Sequence, residues 1–221
     1  MSSETIKQNW DYKIIKDNPL YPFLLIDNWY TPSEEEGVWK ELDFFSSTDK
    51  KDLLRAENTI VARDEDGTAR SNAYRFYTEN YYMNRAVSHI YKNQYKFKTK
   101  EFKNLMSKLE PYGRSYPATN RDTTLISYYE ENDHYKPHFD TFIFTCLIWL
   151  VREPRLFDGG DFTFNESNTE IKLKNNRMVM FPCCYLHSVS PIKFHSKPKK
   201  IGYGKYTITH FFYTVPTGRE D

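Results

Sequence analysis

The segment from residue 123 to residue 216 constrains the fold of this chain more than any other feature. Short runs of β-branched and aromatic residues alternate there with turn residues such as Gly159, Gly160, Asn175 and Asn176. Many short strands separated by turns are typical of a β-sandwich or a β-barrel. We predict eight strands, which together suggest a jelly roll: residues 123–129, 135–140, 142–151, 161–165, 170–173, 177–181, 187–191 and 205–214.

The first 120 residues predict one strand followed by helices. A short apolar run at residues 21–27 indicates a buried strand. Thr31 and Glu34 then match the N-cap and the carboxylate of a capping box at the start of a helix. Apolar residues at helical spacing predict two more helices, within residues 82–90 and 102–109.

The expected organisation is a single domain over residues 1–221. Its fold class is mainly β with α, and its core at residues 121–216 is a double-stranded β-helix of the jelly-roll, cupin-like kind. The strand and supporting helices of residues 1–120 complete the domain. At about 150 residues per domain the length also fits two domains, but one β-rich domain with a helical annex fits it equally well.

Charge and hydropathy exclude several classes of function. The chain has 31 Lys and Arg against 30 Asp and Glu, a formal net charge of +1. No strong field therefore attracts a polyanion, and we expect no nucleic-acid partner. The longest apolar stretch, residues 141–151, is well short of the roughly 20 residues that cross a bilayer. The first ten residues contain no apolar signal segment, so we expect a cytoplasmic protein that does not span a membrane.

The cysteine and aromatic content predicts a reduced core that is rich in rings. The chain has three cysteines, and a bond between the adjacent Cys183 and Cys184 would be strained. A disulfide framework is therefore not expected, and we predict three reduced, buried thiols. Aromatic residues make up 17% of the chain, so much of the core has to consist of rings.

The sequence His138-Phe139-Asp140 lies in the second predicted strand of the β region. Residues two apart on a strand share a face, so one imidazole and one carboxylate can reach a common metal ion. His187 follows 49 residues after His138, next to an apolar strand that can face the sheet bearing His138 in a jelly roll. Two imidazoles and one carboxylate would occupy one face of an octahedral metal, as in non-haem Fe(II) oxygenases.

Several segments in order and at characteristic spacing resemble one known family. They are Leu-Ile-Ser-Tyr at 125–128, Tyr-Lys-Pro-His-Phe-Asp at 135–140, Phe-Asp-Gly-Gly-Asp-Phe at 157–162, the turn from Phe181-Pro182 to His187, and Lys-Tyr-Thr-Ile-Thr at 205–209. Over residues 122–213 the chain resembles the iron(II)- and 2-oxoglutarate-dependent dioxygenases, and in particular their prolyl 4-hydroxylase branch. The resemblance implies that His138, Asp140 and His187 are the metal ligands and the catalytic centre.

The resemblance also implies a basic residue on the last strand that binds the distal carboxylate of 2-oxoglutarate. This residue maps to Lys205, and Thr207 shares its strand face and can donate its hydroxyl to the same carboxylate. Lys193 and Lys197, in the preceding lysine-rich loop, are rival candidates. Tyr128 lies ten residues before His138, where relatives have a tyrosine beside the cosubstrate, although core packing explains it nearly as well.

The implied cofactors are Fe(II) and 2-oxoglutarate, with ascorbate as a further candidate. The implied reaction is hydroxylation of an aliphatic carbon, with a peptidyl proline as the expected target and release of succinate and carbon dioxide. The partner would then be a protein or peptide substrate. Two alternatives remain: the same chemistry on a free amino acid or another small molecule, and a non-catalytic cupin-like binding module. Oligomeric state and regiochemistry stay open.

Overall fold

The computed structural model describes residues 10–47, 54–196, 198 and 201–216 of the 221-residue chain. In chain order, the described strands are β1 (Asp11–Ile15), β2 (Phe23–Asp27), β3 (Leu54–Arg55), β4 (Tyr74–Tyr77), β5 (Arg121–Tyr129), β6 (Tyr135–His138), β7 (Phe144–Leu150), β8 (Phe157–Gly159), β9 (Phe162–Phe164), β10 (Thr169–Ile171), β11 (Arg177–Pro182), β12 (His187–Val189), β13 (Ile192–Phe194) and β14 (Lys205–Tyr213). The described α-helices are α1 (Pro32–Ser47), α2 (His89–Lys92), α3 (Tyr95–Lys98) and α4 (Lys100–Ser107). Turns of 3-10 helix occur at Ala56–Asn58, Thr78–Asn80, Arg85–Val87 and Tyr112–Ala118. Of the described helices, none has the length and apolar character needed to span a membrane.

The strands form a large sheet, a small sheet and a two-stranded ribbon. The large sheet has the order β1-β2-β11-β7-β14-β5-β4-β3, the small sheet has the order β10-β9-β12-β6, and β13 pairs with β8. The large and small sheets face each other, and aromatic rings from both meet between them. The ring centroids of Trp149 and Phe162 are 6.0 Å apart, and those of Phe164 and Phe181 are 5.0 Å apart. Two facing antiparallel sheets agree with the predicted mainly β architecture.

The two faces of the large sheet have different partners because side chains alternate along each strand. On one face, Ile126 of β5 and Ile208 of β14 are buried in a core with Val38 of α1. On the opposite face, Ser127 and Thr207 line a cavity between the two sheets. The helices therefore close one side of the large sheet and leave the other side free to form a site.

The first helix begins with the predicted capping box. The Thr31 backbone N–H donates to Glu34 Oε2 at 2.8 Å, and the Glu34 N–H donates to Thr31 Oγ1 at 3.4 Å. Lys96 Nζ also donates to Glu34 Oε2 at 2.5 Å. The Glu34 carboxylate thus accepts hydrogen bonds from the start of the helix and from a buried ammonium at the same time.

The predicted helix at residues 82–90 is wrong. The structure has a 3-10 turn and the four-residue helix α2 in this region. The Asn84 and Ser88 side chains each accept a hydrogen bond from a backbone N–H two or three residues later, so each of them starts a separate short helix. Met83 is fully exposed and Val87 is 60% exposed, so the apparent apolar stripe is not buried as one face.

Each of the eight predicted strands has a counterpart, namely β5, β6, β7, β9, β10, β11, β12 and β14. The sequence pattern of residues 123–216 did not predict β8 and β13, which have three residues each and are too short for an alternating pattern. In the first 120 residues the run at 21–27 contains β2, but β1, β3 and β4 were not predicted. All four of these strands join the large sheet, so this part of the chain supplies strands as well as helices.

The cysteines are free, and two of the three are buried as predicted. Cys146 and Cys183 are buried, whereas Cys184 is exposed. Cys184 is the second residue after the end of β11, in the turn that leads to β12, where the backbone leaves the sheet. The predicted burial is therefore wrong for Cys184 because its neighbour takes the inward position.

Candidate active site

His138 and His187 form a cross-strand pair in the small sheet. β6 and β12 run antiparallel, and His187 lies directly opposite His138 in their ladder. Opposed residues on neighbouring strands have Cβ atoms about 5 Å apart, and the two imidazole centroids are 4.2 Å apart here. Strand pairing thus brings together two histidines that are far apart in the sequence.

Asp140 lies just beyond the end of β6 and completes the cluster. Its backbone N–H donates to the carbonyl oxygen of Cys183 at 3.2 Å, which holds this residue next to the end of β11. Its Oδ1 is 3.8 Å from His138 Nε2, and its Oδ2 is 3.5 Å from His187 Nε2. One ligand atom from each of the three side chains lies within 4.8 Å of the others, close enough to share one ion.

Backbone carbonyl groups orient both imidazoles toward the centre of the cluster. His138 Nδ1 lies 2.9 Å from the Lys136 carbonyl oxygen, and His187 Nδ1 lies 2.8 Å from the Tyr185 carbonyl oxygen. Because a carbonyl oxygen only accepts, Nδ1 carries the proton in each ring and Nε2 keeps its lone pair. Burial, helped by the neighbouring His187, lowers the pKa of His138 to about 2, so this ring is neutral at ordinary pH.

This donor set fits a first-row divalent metal ion. Two neutral imidazole nitrogens and one carboxylate converge from one side and leave other coordination positions open. Among the described residues, no other group of three His, Cys, Asp or Glu side chains comes this close together. The cluster can therefore hold an ion that still has room for further ligands.

Thr145 of β7 is positioned to orient the carboxylate of the cluster. Its Oγ1 donates to Asp140 Oδ2 at 2.5 Å and lies 3.1 Å from Cys183 Sγ. Partners of this kind fix the direction in which a ligand presents its lone pairs, and they tune its affinity for the metal. Thr145 was left out of the site predicted from sequence, because strand alternation puts it on the face opposite to Asp140 unless a turn or bulge lies between them.

We expect Thr145→Val to weaken the binding of Mn(II) by about 10- to 100-fold, since the isosteric change removes only the hydroxyl that orients Asp140. Isothermal titration calorimetry measures this affinity. The matched control is Thr124→Val, which also removes a buried hydroxyl but at the contact with His210, away from the cluster. Equal Mn(II) affinity in the two variants would contradict an orienting role for Thr145.

A cavity between the two sheets opens beside the cluster. Its floor is the large sheet, where Arg75, Ser127, Thr207 and Trp149 lie in one row across β4, β5, β14 and β7. Most of its other lining side chains are aromatic or aliphatic. The few polar groups that face it are therefore poorly solvated, and each of them interacts strongly with a bound ligand.

Lys205, the predicted cosubstrate-binding lysine, is completely buried at one end of this region. Its Nζ donates to the Gly160 carbonyl oxygen at 2.7 Å and lies 5.2 Å from the ring centroids of both Tyr129 and Trp149. Burial lowers the pKa of Lys205 to about 7, although Asp161 opposes that shift. An ammonium in such a place gains stability when a carboxylate binds to it.

The two rival lysines do not share this position. Lys193 lies on β13 with an exposed side chain, opposite Asp158 in the ribbon with β8. Lys197 lies outside the described residues. Of the lysines proposed from sequence and described by the structure, Lys205 is the one next to the cavity.

The placement of Tyr128 beside the cosubstrate is corrected by the structure. The Tyr128 side chain points to the helix-covered face of the large sheet, where its hydroxyl accepts hydrogen bonds from the backbone N–H groups of Gly202 and Gly204 at 2.8 and 3.2 Å. Its neighbour Tyr129 has the opposite strand parity and lines the cavity. Tyr129 also pairs with Lys205 in the β5–β14 ladder, so it takes the place that was predicted for Tyr128.

Thr207 and Trp149 offer unused hydrogen-bonding groups in the cavity. Both residues line it, and Thr207 Oγ1 and Trp149 Nε1 are buried with no partner in the part of the chain that the structure describes. A buried polar group without a partner costs free energy, so such groups mark places where a ligand supplies the missing contact. Thr207 was predicted from the sequence, whereas Trp149 was left out of the predicted site.

Arg75 is a further polar group of the cavity that sequence reasoning missed. It lies on β4, is only 5% exposed and lines the cavity. Its Nε is buried without a partner among the described residues. The four-residue strand that carries it has no motif of its own, so only its pairing with β5 reveals where the side chain lies.

The structure has a jelly-roll fold, with a cluster of two histidines and one aspartate between its two sheets. Residues 124–213 match the sequence model of the 2OG-Fe(II) oxygenase superfamily. This stretch contains all of the residues predicted for the site, and the match confirms both the resemblance and the double-stranded β-helix core. The chain is thus similar to the iron(II)- and 2-oxoglutarate-dependent dioxygenases, whose cofactors Fe(II) and 2-oxoglutarate fit the cluster of two histidines and one aspartate.

Solved structures of the same fold include two prolyl hydroxylases. A prolyl-4-hydroxylase from Pseudomonas putida has 12% identity and a TM-score of 0.57, with 92% of this chain and 98% of that chain covered. A viral collagen prolyl hydroxylase from Paramecium Bursaria Chlorella virus-1 has 16% identity and a TM-score of 0.51, with 87% and 96% covered. An oxidoreductase of the 2OG-Fe(II) oxygenase family from Burkholderia pseudomallei has 12% identity and a TM-score of 0.51, with 86% and 84% covered. At these identities the likeness shows the fold, and a search of curated proteins found no significant match.

Proposed function

We propose that this protein is an Fe(II)- and 2-oxoglutarate-dependent dioxygenase that hydroxylates an aliphatic carbon, with His138, Asp140 and His187 as the metal ligands. The cross-strand pairing of the two histidines, with Asp140 3.5 and 3.8 Å from their Nε2 atoms, carries this proposal. Bound Fe(II) and 2-oxoglutarate would let the site use dioxygen as the oxidant, with one oxygen atom going to the substrate as a hydroxyl group and the other to succinate, while carbon dioxide is released. The protein holds, orients and shields them.

Different residues of the large sheet provide the charge and the hydrogen bonds that bind the cosubstrate. Lys205 supplies the counter-charge for the distal carboxylate, and Thr207 Oγ1 and Trp149 Nε1 supply hydrogen bonds that have no other described partner. Tyr129 lines this end of the cavity, with its ring centroid 5.2 Å from Lys205 Nζ. A dicarboxylate drawn into a poorly solvated site requires such compensation for its lost hydration.

For the substrate we propose a peptidyl proline. The sequence resemblance to the prolyl 4-hydroxylase branch supports this target, and two of the similar solved structures are prolyl hydroxylases. Two exposed apolar side chains at the cavity, Ile60 at 84% and Phe139 at 52%, offer a surface against which an extended peptide can lie. Ascorbate as a reductant stays a prediction.

An anaerobic spectrum tests the proposed chemistry first. Protein mixed with Fe(II) and 2-oxoglutarate should develop a visible charge-transfer band, and oxygen should then convert 2-oxoglutarate into succinate. Mass spectrometry of proline-containing peptides and of free proline then identifies the molecule that gains an oxygen atom. Absence of the band would favour a non-catalytic cupin-like module, and hydroxylation of free proline alone would overturn the peptidyl target.

We also expect the affinity of Mn(II)-loaded protein for 2-oxoglutarate to fall as the pH rises above about 7. The pKa of free Lys205 is lowered to about 7, and a bound carboxylate favours the ammonium form and raises that pKa. Between the two pKa values binding takes up one proton, so the affinity falls about tenfold per pH unit. Calorimetry in two buffers with different ionisation enthalpies measures the uptake. Thr207→Val keeps Lys205 and should keep the uptake, whereas a constant affinity between pH 7 and pH 9 would contradict the role of Lys205.

A further inference from the structure

Arg75 is a buried cation at the cavity that the proposed cosubstrate site does not use. It lies opposite Ser127 in the β4–β5 ladder, in the same row as Thr207 and Trp149. β4 lies two strands from β14, which is about 10 Å across the sheet at ordinary strand spacing. Arg75 and Lys205 therefore supply positive charge to two separate parts of the cavity.

The contacts of Arg75 leave its charge uncompensated. Its Nη1 donates to the Ile60 carbonyl oxygen at 3.2 Å, and its guanidinium lies 5.4 Å from the Tyr135 ring centroid. All of these partners are neutral, and Arg75 forms no ion pair with any carboxylate of the described residues. Its Nε has no partner there at all. A guanidinium that is 5% exposed and unpaired is costly to bury.

Away from the cavity and the adjacent Lys205, the fold pairs buried and half-buried cations with its own carboxylates. Lys96, which is fully buried, lies 2.5 Å from Glu34, and Arg177 donates to both carboxylate oxygens of Asp27 at 2.6 and 3.0 Å. Arg75 departs from this pattern at the wall of a cavity. Its missing counter-ion is therefore expected to come from a ligand.

The charges of the loaded site indicate that this ligand is not 2-oxoglutarate. Fe(II) with Asp140 carries one net positive charge and the Lys205 ammonium carries a second. These two charges balance the two carboxylates of 2-oxoglutarate. Arg75 is then left as an unbalanced cation among the described residues that line the cavity.

Arg75 is also placed close to the metal cluster. Its guanidinium lies over the Tyr135 ring, which stacks on His138 with ring centroids 3.4 Å apart and an interplanar angle of 10°. A group held by Arg75 would thus lie one aromatic ring away from a proposed metal ligand. A planar guanidinium fork matches a carboxylate with two parallel hydrogen bonds, and Nε is the free donor of this fork.

We infer that Arg75 binds a carboxylate of the substrate, so that the hydroxylated molecule carries a carboxylate near its reacting carbon. Three kinds of molecule can supply this carboxylate: a free amino acid through its α-carboxylate, a peptide through its C-terminus, and a peptide through an acidic side chain next to the hydroxylated residue. This inference rests on the proposed function and specifies its substrate class. Arg75 is a specificity-determining residue for that substrate.

The test is calorimetric binding to protein loaded with Mn(II) and 2-oxoglutarate, which needs no turnover. Three matched probe pairs differ only in the carboxylate: L-proline and L-prolinamide, N-acetyl-L-proline and N-acetyl-L-prolinamide, and the capped peptides Ala-Pro-Glu and Ala-Pro-Gln. In at least one pair the acid should bind about 10- to 100-fold more tightly than its amide. The pair that shows the preference identifies the source of the carboxylate.

Three variants test whether Arg75 causes the tighter binding of the acid. Arg75→Gln should erase it while leaving the dissociation constant of 2-oxoglutarate within about twofold. Arg75→Lys keeps the charge without the fork and should keep a reduced preference, which provides a second test if Arg75→Gln fails to fold. Arg114→Gln, at an exposed arginine paired with Glu110, is the control and should keep the full preference.

Three results would overturn the inference. They are equal binding of acid and amide in all pairs, binding of no acid probe, and a loss of 2-oxoglutarate affinity in Arg75→Gln as large as the loss for the acid probe. Each of these can occur while Mn(II) and 2-oxoglutarate still bind to the native protein, so the proposed function would survive. Failure of Mn(II) and 2-oxoglutarate to bind would instead remove the proposed function, and the inference with it.

Discussion

Replacing Asp140 by alanine is expected to lower the affinity for Mn(II) by at least about 100-fold and to abolish the anaerobic absorption band with Fe(II) and 2-oxoglutarate. Asp140 supplies the only negative charge of the cluster, and its two oxygens face His187 and His138 at 3.5 and 3.8 Å. Without it, two neutral imidazoles have to hold a divalent cation in a largely apolar cavity. Loss of one partner of a buried charge pair costs about 3–5 kcal/mol, which corresponds to at least a 100-fold change.

Two further variants separate the ligand role of Asp140 from packing. Asp140→Asn keeps the size of the side chain and an oxygen for the Thr145 hydroxyl, yet it should lose most of the affinity because it loses the charge. Asp158→Ala removes an exposed carboxylate that pairs with His195 and should leave Mn(II) binding unchanged. Near-native Mn(II) affinity in Asp140→Ala would remove the cluster as a metal centre.

Replacing Lys205 by methionine is expected to weaken 2-oxoglutarate binding by at least about 100-fold and to leave Mn(II) binding unchanged. Methionine fills a similar linear space but provides no charge, so the distal carboxylate would enter a dry cavity without its counter-ion. In the absence of ligand, by contrast, the substitution should not lower the thermal stability of the protein. Because burial disfavours the ammonium, the variant should unfold at the same temperature as the native protein or at a higher one.

The matched control for this variant is Lys193→Met at the exposed rival lysine. It should change neither the 2-oxoglutarate affinity nor the unfolding temperature beyond a small surface effect. Calorimetry of Mn(II)-loaded proteins and thermal unfolding of the free proteins measure the two quantities. A loss of 2-oxoglutarate affinity in Lys193→Met, with native affinity in Lys205→Met, would reverse the assignment.

Much of the candidate site could be named from the sequence. His138, Asp140 and His187 were proposed from their residue types and strand positions, Lys205 from the resemblance to a known family, and Thr207 from the strand face it shares with Lys205. The structure places all five around one region between the sheets. Such a prediction works because a strand motif encodes its own geometry. This holds for Lys205 and Thr207, which lie two residues apart on β14 and share a face. Asp140 instead lies beyond the end of β6, where its hydrogen bond to Cys183 at the end of β11 holds it in the cluster.

The errors in the candidate site at Tyr128 and Arg75 have one cause in common, which is strand pairing. Tyr128 and Tyr129 are chemically identical neighbours, and a shift of one residue moves a side chain to the other face of a sheet. Only the ladder between β5 and β14, where Tyr129 lies opposite Lys205, shows which tyrosine faces the cavity. Arg75 was missed for a similar reason, because its short strand becomes informative only when it pairs with β5.

The sequence by itself determined the mainly β class, the eight strands of the core and the residue types of the proposed metal ligands, since these depend on residue type and short-range alternation. Only the tertiary structure decided that His187 lies opposite His138, that Tyr129 rather than Tyr128 faces the cavity, and that Arg75 lies beside it without a counter-ion. These features depend on register between strands that are distant in the chain. That register is set by the summed packing of both sheets, so no single segment contains it.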